Sequence, residues 1–338
     1  MEVDIAHDGF GRPIRIPVLA MRGSRPGPVF GVTAAVHGNE LNGIPIIHSL
    51  FASIDPQALR GTLVAVIVMN VPGYGREQRA FADGTDLNQI MPGSPTGSSA
   101  RVYAHRFIDQ VVRHFDYLVD LHTASFGRVN SLYVRADMSD PVTARMAYLQ
   151  RPQIIVHNPP SDHTLRGAAQ DLGIPAITLE AGNPHRFHRD YIRRALGGMR
   201  AVLAAADLIG GRSLAIGKQP VLCRTSYWLY TEHGGLLDVY PDVTDRVHAD
   251  AVIASLANIF GDVERRYRSP ESGIVIGKSV NPVAQTGARI LHLGILAAEG
   301  EVFERDEASP TEAPPPHRPP LAGGDEEGAA RSPESPEG

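Results

Sequence analysis

Apolar residues in the first part of the chain fall into short, dense runs. Val29–Val36 and Thr62–Met69 are nearly continuous apolar runs, which is typical of strands buried on both faces. Between them, Leu41–Ile54 carries its apolar residues mostly at helical spacing. This order predicts a β-α-β unit, and such units build parallel sheets.

The alternation of strand-like and helix-like segments continues to about residue 210. Further short strands are predicted at Tyr117–Leu121, Ile154–Val156 and Ala176–Leu179. Helices are predicted at Ala100–Phe115 and around residues 139–150, 163–172 and 188–206. Residues 70–98 interrupt the pattern with Gly, Pro and charge, and loops of this length are often functional. With a β-rich arm over residues 1–27, these elements predict an α/β catalytic domain over residues 1–212.

The pattern changes after Gly210. Residues 213–300 hold short β-like runs separated by Gly, Pro and Asp, which predicts a smaller β-rich C-terminal domain. These runs are Val221–Tyr230, Gly235–Tyr240, Gly273–Ile276 and Arg289–Leu293. Residues 301–338 hold eight prolines and ten acidic residues against three arginines. So little apolar surface cannot offset the entropy of an ordered chain, and we expect a disordered acidic tail.

Composition narrows the functional classes. Apolar residues make up 43% of the 338 residues, which allows a sizeable core, and the net charge of -5 gives no basic signature of nucleic-acid binding. The single cysteine, Cys223, excludes an intrachain disulfide and a cysteine zinc site. With no signal peptide and no uninterrupted apolar stretch of membrane-spanning length, we expect a cytoplasmic enzyme. The oligomeric state, including a homo-oligomer, is left open.

Residues able to bind a metal or move a proton follow three of the predicted strands. His37 and Glu40 lie just after the first buried strand, His122 ends a short strand, and Glu180 closes another. Sheets of this class place ligand sites at the carboxyl ends of their strands. Imidazole and carboxylate both bind zinc, and three such ligands leave one coordination position open, as in catalytic zinc sites.

Each of these motifs also has a simpler interpretation when taken alone. His37 and Glu40 fit a helix cap beside a surface histidine, and Glu180 fits a structural salt bridge. His122 fits a hydrogen-bonded strand end, although Asp120 could also orient it as a ligand. A glutamate near a metal is a suitable general base for water, so the three motifs together favour a catalytic metal site. Serine-hydrolase elbows (Gly-x-Ser-x-Gly) and phosphate-binding glycine loops are absent from the sequence.

At these motifs the chain resembles the succinylglutamate desuccinylase/aspartoacylase family, which is related to the zinc carboxypeptidases. The resembling motifs are His37-Gly-Asn-Glu40, Thr85-Asp86-Leu-Asn88-Gln-Ile-Met-Pro92-Gly93, Asp120-Leu-His122-Thr123 and Thr178-Leu-Glu180-Ala-Gly182. They occur in the family's order, and the resemblance extends over about residues 20–300. It implies a zinc-carboxypeptidase-like mixed sheet flanked by helices, with a smaller C-terminal β domain.

The resemblance also implies roles at the reaction centre. His37, Glu40 and His122 would bind one Zn²⁺ per chain. Glu180 would activate the zinc-bound water and later protonate the leaving amine. Arg79 would polarise the scissile carbonyl and stabilise the oxyanion. These roles match the needs of amide hydrolysis, which are a nucleophile at neutral pH, a stabilised oxyanion and a proton for the amine.

Residues around the Asp-Leu-Asn motif would form the substrate site. Because the alignment ahead of this motif is loose, Arg76 is an alternative to Arg79. Asn88 matches an asparagine that helps to hold substrate, and Asp86 would orient its neighbours. Arg166 resembles a substrate-binding arginine upstream of the catalytic glutamate.

Gln89 departs from the family pattern. The family usually has an arginine here that grips a substrate carboxylate, and a neutral amide cannot replace that charged fork. We therefore expect a substrate that lacks this carboxylate or that is held by another arginine. The candidates for that arginine are Arg76, Arg101, Arg128 and Arg166. His185, Arg186 and His188 could also line the cleft, although such residues more often form a solvated loop.

The sequence thus predicts a zinc-dependent amidohydrolase that removes an acyl group from a small N-acylated amino acid or amine. Its expected partner is that small molecule, with neither nucleic acid nor membrane. A carboxypeptidase-like metallopeptidase is one alternative, and the missing arginine at Gln89 argues against it. A non-catalytic ligand-binding relative is another, and it would have no need for Glu180.

Overall fold

The computed structural model describes residues 1–160, 163–210 and 219–304. The α-helices are α1 (Gly43–Ala52), α2 (Val71–Tyr74), α3 (Ser99–Gln110), α4 (Pro141–Leu149), α5 (Leu165–Asp171) and α6 (Arg189–Ala205). The strands are β1 (Glu2–His7), β2 (Pro13–Arg22), β3 (Arg25–Ala34), β4 (Arg60–Val66), β5 (Tyr117–His122), β6 (Arg128–Asn130), β7 (Leu132–Ala136), β8 (Ile154–His157), β9 (Ala176–Ala181), β10 (Val221–Tyr230), β11 (Gly235–Val239), β12 (Arg246–Val247), β13 (Val252–Ala257), β14 (Val263–Arg268), β15 (Gly273–Ser279), β16 (Val283–Ala284) and β17 (Arg289–Leu296). In this part of the chain, no helix combines the length and apolar character needed to span a membrane.

A large mixed sheet organises the described residues. Its strands follow the order β1-β2-β4-β3-β5-β9-β7-β8-β10-β17-β15-β12, and β6 pairs with β15. The neighbours β4, β3, β5 and β9 run parallel, whereas β7 is antiparallel to β9. The strands β14-β13-β11-β16 form a second, smaller sheet. The predicted fold class, a mixed sheet flanked by helices with a smaller C-terminal β unit, is confirmed.

Two apolar clusters cover the two faces of the large sheet. One joins α1, α4 and α6 to side chains such as Phe30, Val32 and Val119. The other joins α3 and α5 to side chains such as Leu118 and Val66. Because successive side chains of a strand point to opposite faces, Leu118 and Val119 contribute to different clusters. Helices thus hold the central strands from both sides and fix where their carboxyl ends lie.

The predicted β-α-β opening is confirmed, because β3 and β4 flank α1 and pair in parallel. The first strand ends at Ala34 rather than Val36, since Ala35 adopts a left-handed φ of 52°. The helix predicted to reach Phe115 ends at Gln110, because Val111 leaves helical geometry and a 3₁₀ turn follows. The predictions missed the short strands β6, β7, β12 and β16 and the hairpin β13–β14.

The C-terminal strands divide between the two sheets. The strands β10, β12, β15 and β17 join the large sheet, and β10 pairs directly with β8. The smaller sheet packs on β15 and β17 through an apolar cluster that includes Ile253, Leu256 and Leu291. The division into residues 1–212, 213–300 and 301–338 stays a prediction. Its first boundary and residues 305–338 of the tail lie outside the described residues.

A short pairing connects the C-terminal region to the centre of the sheet. β6 pairs antiparallel with β15, and Gly277 lies opposite Asn130. A Cβ added to Gly277 would lie 2.3 Å from the Asn130 side-chain oxygen, so only glycine fits there without displacement. The Asn130 side chain therefore occupies the space that a side chain at position 277 would need.

Candidate active site

The candidate site lies where the carboxyl ends of β3, β5 and β9 meet. The register aligns Thr33 with Asp120 and His122 with Glu180, so these strand ends form one edge. His37 and Glu40 come from the loop that follows β3. As expected for parallel strands, residues distant in sequence converge at this edge.

The loop that carries His37 and Glu40 is held by close contacts. Gly38 packs on the backbone of Gly73, and an added Cβ would lie 2.1 Å from the Gly73 carbonyl carbon. Asn42, at the start of α1, donates its amide to the Ala181 carbonyl oxygen at 2.7 Å. These contacts tie the loop to α2 on one side and to β9 on the other.

His37, Glu40 and His122, hereafter the triad, could hold a metal ion. Their candidate ligand atoms all lie within 4.8 Å of one another, and the three side chains are 1–3% exposed. The Nδ1 atoms of both imidazoles lie 3.0 Å from Glu40 carboxylate oxygens. The opposite ring nitrogens contact carboxylates, Asp86 at 3.0 Å from His37 and Asp120 at 2.7 Å from His122.

The donor set suits a divalent cation. Metal-bound histidines usually present one ring nitrogen to the ion while a carboxylate holds the other, and both triad histidines have that arrangement. His37 Nδ1 is buried and makes no hydrogen bond of acceptable geometry with any described residue. Burial favours the neutral form of Glu40, yet the two imidazoles hold its pKa well below its ordinary value. An ionised Glu40 beside two Nδ1 atoms is the chemistry of a zinc site.

Glu180 faces the triad from β9. Asn130 donates to its Oε2 at 3.2 Å, and Tyr133 is its register partner on β7. Burial raises the pKa of Glu180, and the charge of Glu40 adds to this effect while His122 opposes it. A carboxyl group whose pKa is raised toward neutrality is suited to accept and return a proton.

Arg79, rather than Arg76, lies beside the triad. Its guanidinium donates to Glu40 Oε1 at 2.9 Å, to Asp86 Oδ2 at 3.0 Å and to Ser125 Oγ at 3.0 Å. Its Nη2 group has no hydrogen-bond partner among the described residues, and its side chain is 38% exposed. Arg76 is exposed and donates to the Ala82 carbonyl oxygen instead. The geometry therefore offers Arg79 for a substrate oxygen.

Three of the four predicted substrate-binding residues line a cavity that also contains the triad and has a volume of about 270 Å³. Asn88 accepts from a backbone N–H of α5, and Gln89 donates to Asp86 Oδ2 at 3.3 Å. Arg166 is fully buried and donates to the carbonyl oxygens of residues 158 and 159. Asn88, Gln89 and Arg166 line the cavity, whereas Asp86 lies behind the triad and bridges His37 to Arg79.

Sequence reasoning missed most of one side of the cavity. Arg128, which was one of several candidates, lies there with Arg135, Trp228 and Arg289, and we call these four residues the arginine wall. Arg135 and the cavity-lining Tyr133 belong to the missed strand β7 and share a face at a spacing of two. Trp228 and Arg289 come from β10 and β17, and no local motif marks them.

Other candidates lie elsewhere. Arg76, Arg101, His185, Arg186 and His188 are not among the described residues that line the cavity. Arg101 is exposed on α3, and His185 packs against the exposed ring of Phe126 with centroids 5.8 Å apart. His185 and Arg186 are exposed, which fits the alternative interpretation of these residues as part of a solvated loop.

Comparisons with known proteins find one matching family model and a similar deacetylase. The family model of the succinylglutamate desuccinylase/aspartoacylase catalytic domain matches residues 26–206. The N-alpha-acetyl-L-2,4-diaminobutyric acid deacetylase of Halomonas elongata is 23% identical over 281 residues, covering 78% of this chain and 81% of that protein.

Solved structures with a similar fold include a succinylglutamate desuccinylase from Silicibacter sp. TM1040. It has a TM-score of 0.78 and 20% identity, with 88% of this chain and 93% of that chain covered. The product-bound ectoine utilization protein EutE (DoeB) from Ruegeria pomeroyi has a TM-score of 0.79 and 19% identity, covering 87% and 94%. At these identities the likeness concerns the fold.

Proposed function

The chain belongs to the succinylglutamate desuccinylase/aspartoacylase family, and on that premise we propose that it is a zinc-dependent amidohydrolase. Its reaction would remove an acyl group from a small N-acylated amino acid or amine. The observation that carries this proposal is the triad, in which two Nδ1 atoms converge on Glu40 while Asp86 and Asp120 hold the opposite ring nitrogens.

The triad would hold the metal, and the chain's other residues would carry out the proton transfers. Bound zinc supplies Lewis acidity to a water molecule and to the substrate carbonyl. Glu180 takes a proton from the attacking water and delivers it to the amine nitrogen as the C–N bond breaks. The products are then the free acid and the amine, and Glu180 returns to its starting state.

Arg79 and the residues beside it would orient the substrate. The outward-facing Nη2 group of Arg79 would donate to the carbonyl oxygen as negative charge develops there. Asp86 and Glu40 hold the guanidinium through its other nitrogens, so it is already oriented before substrate binds. Asn88 and Arg166 line the same cavity and would contact the rest of the substrate.

A first experiment measures metal content and activity on one sample. We expect about one zinc per chain after purification, loss of activity on chelation, and recovery when zinc is returned. The substrate panel contains N-acetyl amino acids and N-acylated diamines, including the compound for which the Halomonas relative is named. A carefully purified protein that contains no transition metal and gains no activity from added zinc would refute the proposal.

A further inference from the structure

Two arginines of the arginine wall form no ion pair with the described residues. Within residues 1–160, 163–210 and 219–304, neither Arg128 nor Arg289 has a carboxylate within ion-pair distance or a side-chain hydrogen bond. Both guanidiniums instead lie over the ring of Trp228, 5.8 Å and 5.3 Å from its centroid. Two like charges on one side of a small cavity repel each other, and an anion between them would remove that cost.

The position of Trp228 is fixed from behind. His292 is its register partner on β17, and the two rings stack with centroids 5.0 Å apart and an interplanar angle of 11°. His292 Nε2 lies 2.9 Å from the hydroxyl of Ser226 on the strand that carries Trp228. Because β10 and β17 lie inside the sheet, this platform is rigid before any ligand binds.

The guanidiniums remain able to bind while they lie over the ring. A stacked guanidinium keeps its N–H groups in plane, and these match the two oxygens of a carboxylate. Arg128 is partly buried, and its burial and the charges of Arg289 and Arg79 lower its pKa, while the charges of Glu40 and Glu180 partly oppose this shift. Gln89, which also lines the cavity, presents a neutral amide and cannot supply a positive charge to a substrate carboxylate.

We propose that Arg128 and Arg289, held across Trp228, form a carboxylate-binding subsite that determines substrate specificity. This inference rests on the proposed function, because it names the charged end of the substrate whose amide lies at the triad. The carboxylate belongs either to the amine half or to the acyl half, and both have the same chemistry toward the two arginines.

Binding of matched ligands tests the subsite without turnover. The probes are N-acetylglycine and N-acetylglycinamide, which differ only by a carboxylate and a neutral amide, and N-methylsuccinamic acid, which carries its carboxylate on the acyl half. Dissociation constants are measured by ligand-observed NMR titration on the full chain with Glu180→Gln, so that no amide is cleaved. We expect at least one of the two acids to bind about tenfold more tightly than N-acetylglycinamide.

Substitutions then locate that preference. Arg128→Gln and Arg289→Gln should each remove most of the preference for the acid over N-acetylglycinamide. Arg289→Lys should keep part of this preference, because lysine has the positive charge but not the two parallel N–H donors of a guanidinium. Arg265→Gln, which removes an exposed arginine on β14, should leave it unchanged. In the enzyme with Glu180 intact, the same two changes should raise KM about tenfold for the preferred acid and leave kcat within about twofold.

The outcomes separate the two proposals. Loss of preference for N-acetylglycine assigns the carboxylate to the amine half, and loss for N-methylsuccinamic acid assigns it to the acyl half. Equal binding of acids and amide, or a preference that survives both arginine substitutions, overturns the subsite. Since binding is measured without cleavage, a protein that binds through these arginines but contains no transition metal and gains no activity from added zinc would refute the hydrolase and leave the subsite standing.

Discussion

On the triad side of the cavity, charged groups find their partners within the protein, whereas Arg128 and Arg289 of the arginine wall form no ion pair with any described residue. The His122 ring lies between Asp120 and Glu40, and Glu40 in turn accepts from Arg79. Arg128 and Arg289 both lie over the Trp228 ring, and no described carboxylate is within ion-pair distance of either one. The triad side is thus organised in advance for a cation, and the wall is completed only by what it binds.

The strongest test of this contrast is Glu180→Gln, at the junction of the two regions. An amide keeps the shape but cannot accept the proton of water, so we expect kcat to fall by about 10²- to 10⁴-fold. Zinc content should stay unchanged, because Glu180 is not in the triad. Glu264→Gln, on exposed β14, is the control. If the variant keeps full activity, the proton-transfer role belongs to another residue.

Asp120→Asn tests whether the triad side is organised by its buried carboxylates. Thr33 donates to one Asp120 oxygen, so an asparagine would turn its NH₂ toward His122 Nε2. That ring nitrogen would then have to accept, which puts the proton on Nδ1 and blocks its lone pair. We expect zinc affinity to fall about 10- to 100-fold, measured by competition with a chelator.

The control for this change is Asp116→Asn. Asp116 precedes β5 at the opposite end of the strand, and its carboxylate accepts from the backbone N–H of Val29. An asparagine can still accept there, so zinc affinity should match that of the unmodified protein. Equal losses in both variants would mean that Asp120 acts through the stability of β5 rather than through the imidazole.

Gln89→Arg adds another anion-binding group to the lining of the cavity. We expect kcat/KM for N-acetylaspartate, relative to N-acetylglycine, to rise about tenfold, because the added guanidinium can grip a second carboxylate. Asp86 lies 3.3 Å from the present amide and will compete for the new charge. A ratio that does not change would show that position 89 does not select substrate.

The smallest expected effect concerns the support behind the wall. Burial, and then the charges of Arg135, Arg289 and Arg128, hold the pKa of His292 well below its ordinary value. In the unfolded chain His292 becomes protonated as the pH falls through about 6.5, whereas in the folded protein it stays neutral. The free energy of unfolding therefore decreases as the pH drops below that value. From about pH 7 to about pH 5.5 this one ring should cost about 1 kcal/mol.

Urea unfolding of the unmodified protein and of His292→Gln at both pH values measures how much His292 contributes to the pH dependence of the free energy of unfolding. Glutamine does not titrate, so its loss of stability over the same interval should be smaller by about 1 kcal/mol. His48→Gln, which removes an exposed ring on α1, should follow the unmodified protein. Parallel pH dependence in all three would mean that folding does not change the pKa of His292.

The two regions also differ in how far the sequence predicted them. The triad and Glu180 follow or end apolar strands. Because ligand sites lie at the carboxyl ends of such strands, the sequence pattern predicts that these residues meet. Trp228 and Arg289 belong to strands whose place in the large sheet depends on pairing with β8 and with each other. Such pairing depends on contacts between distant segments of the chain. The sequence around an arginine on a strand does not show which face of the sheet its side chain occupies.

Strand β7 shows the same limit on a smaller scale. Leu132–Ala136 is short and follows polar residues, so its alternation resembles a loop, yet it places Tyr133 beside Glu180. The length of the loop of residues 70–98 favours a functional segment, and the loose alignment of the resemblance there leaves Arg76 as an alternative to Arg79. Only the turn at α2 and the contacts to Asp86 and Glu40 separate them.

The glycine opposite Asn130 has a consequence for how variants of this enzyme should be interpreted. Even a methyl group at Gly277 would press on the carboxamide that contacts Glu180, so a change there reaches the reaction centre through one intermediate side chain. In a mutational scan, Gly277 should therefore score with the residues around Glu180 despite its distance along the chain. In an engineered library that randomises β15, variants with a side chain at position 277 should lose activity because Asn130 is displaced, even though the residues that line the cavity are unchanged.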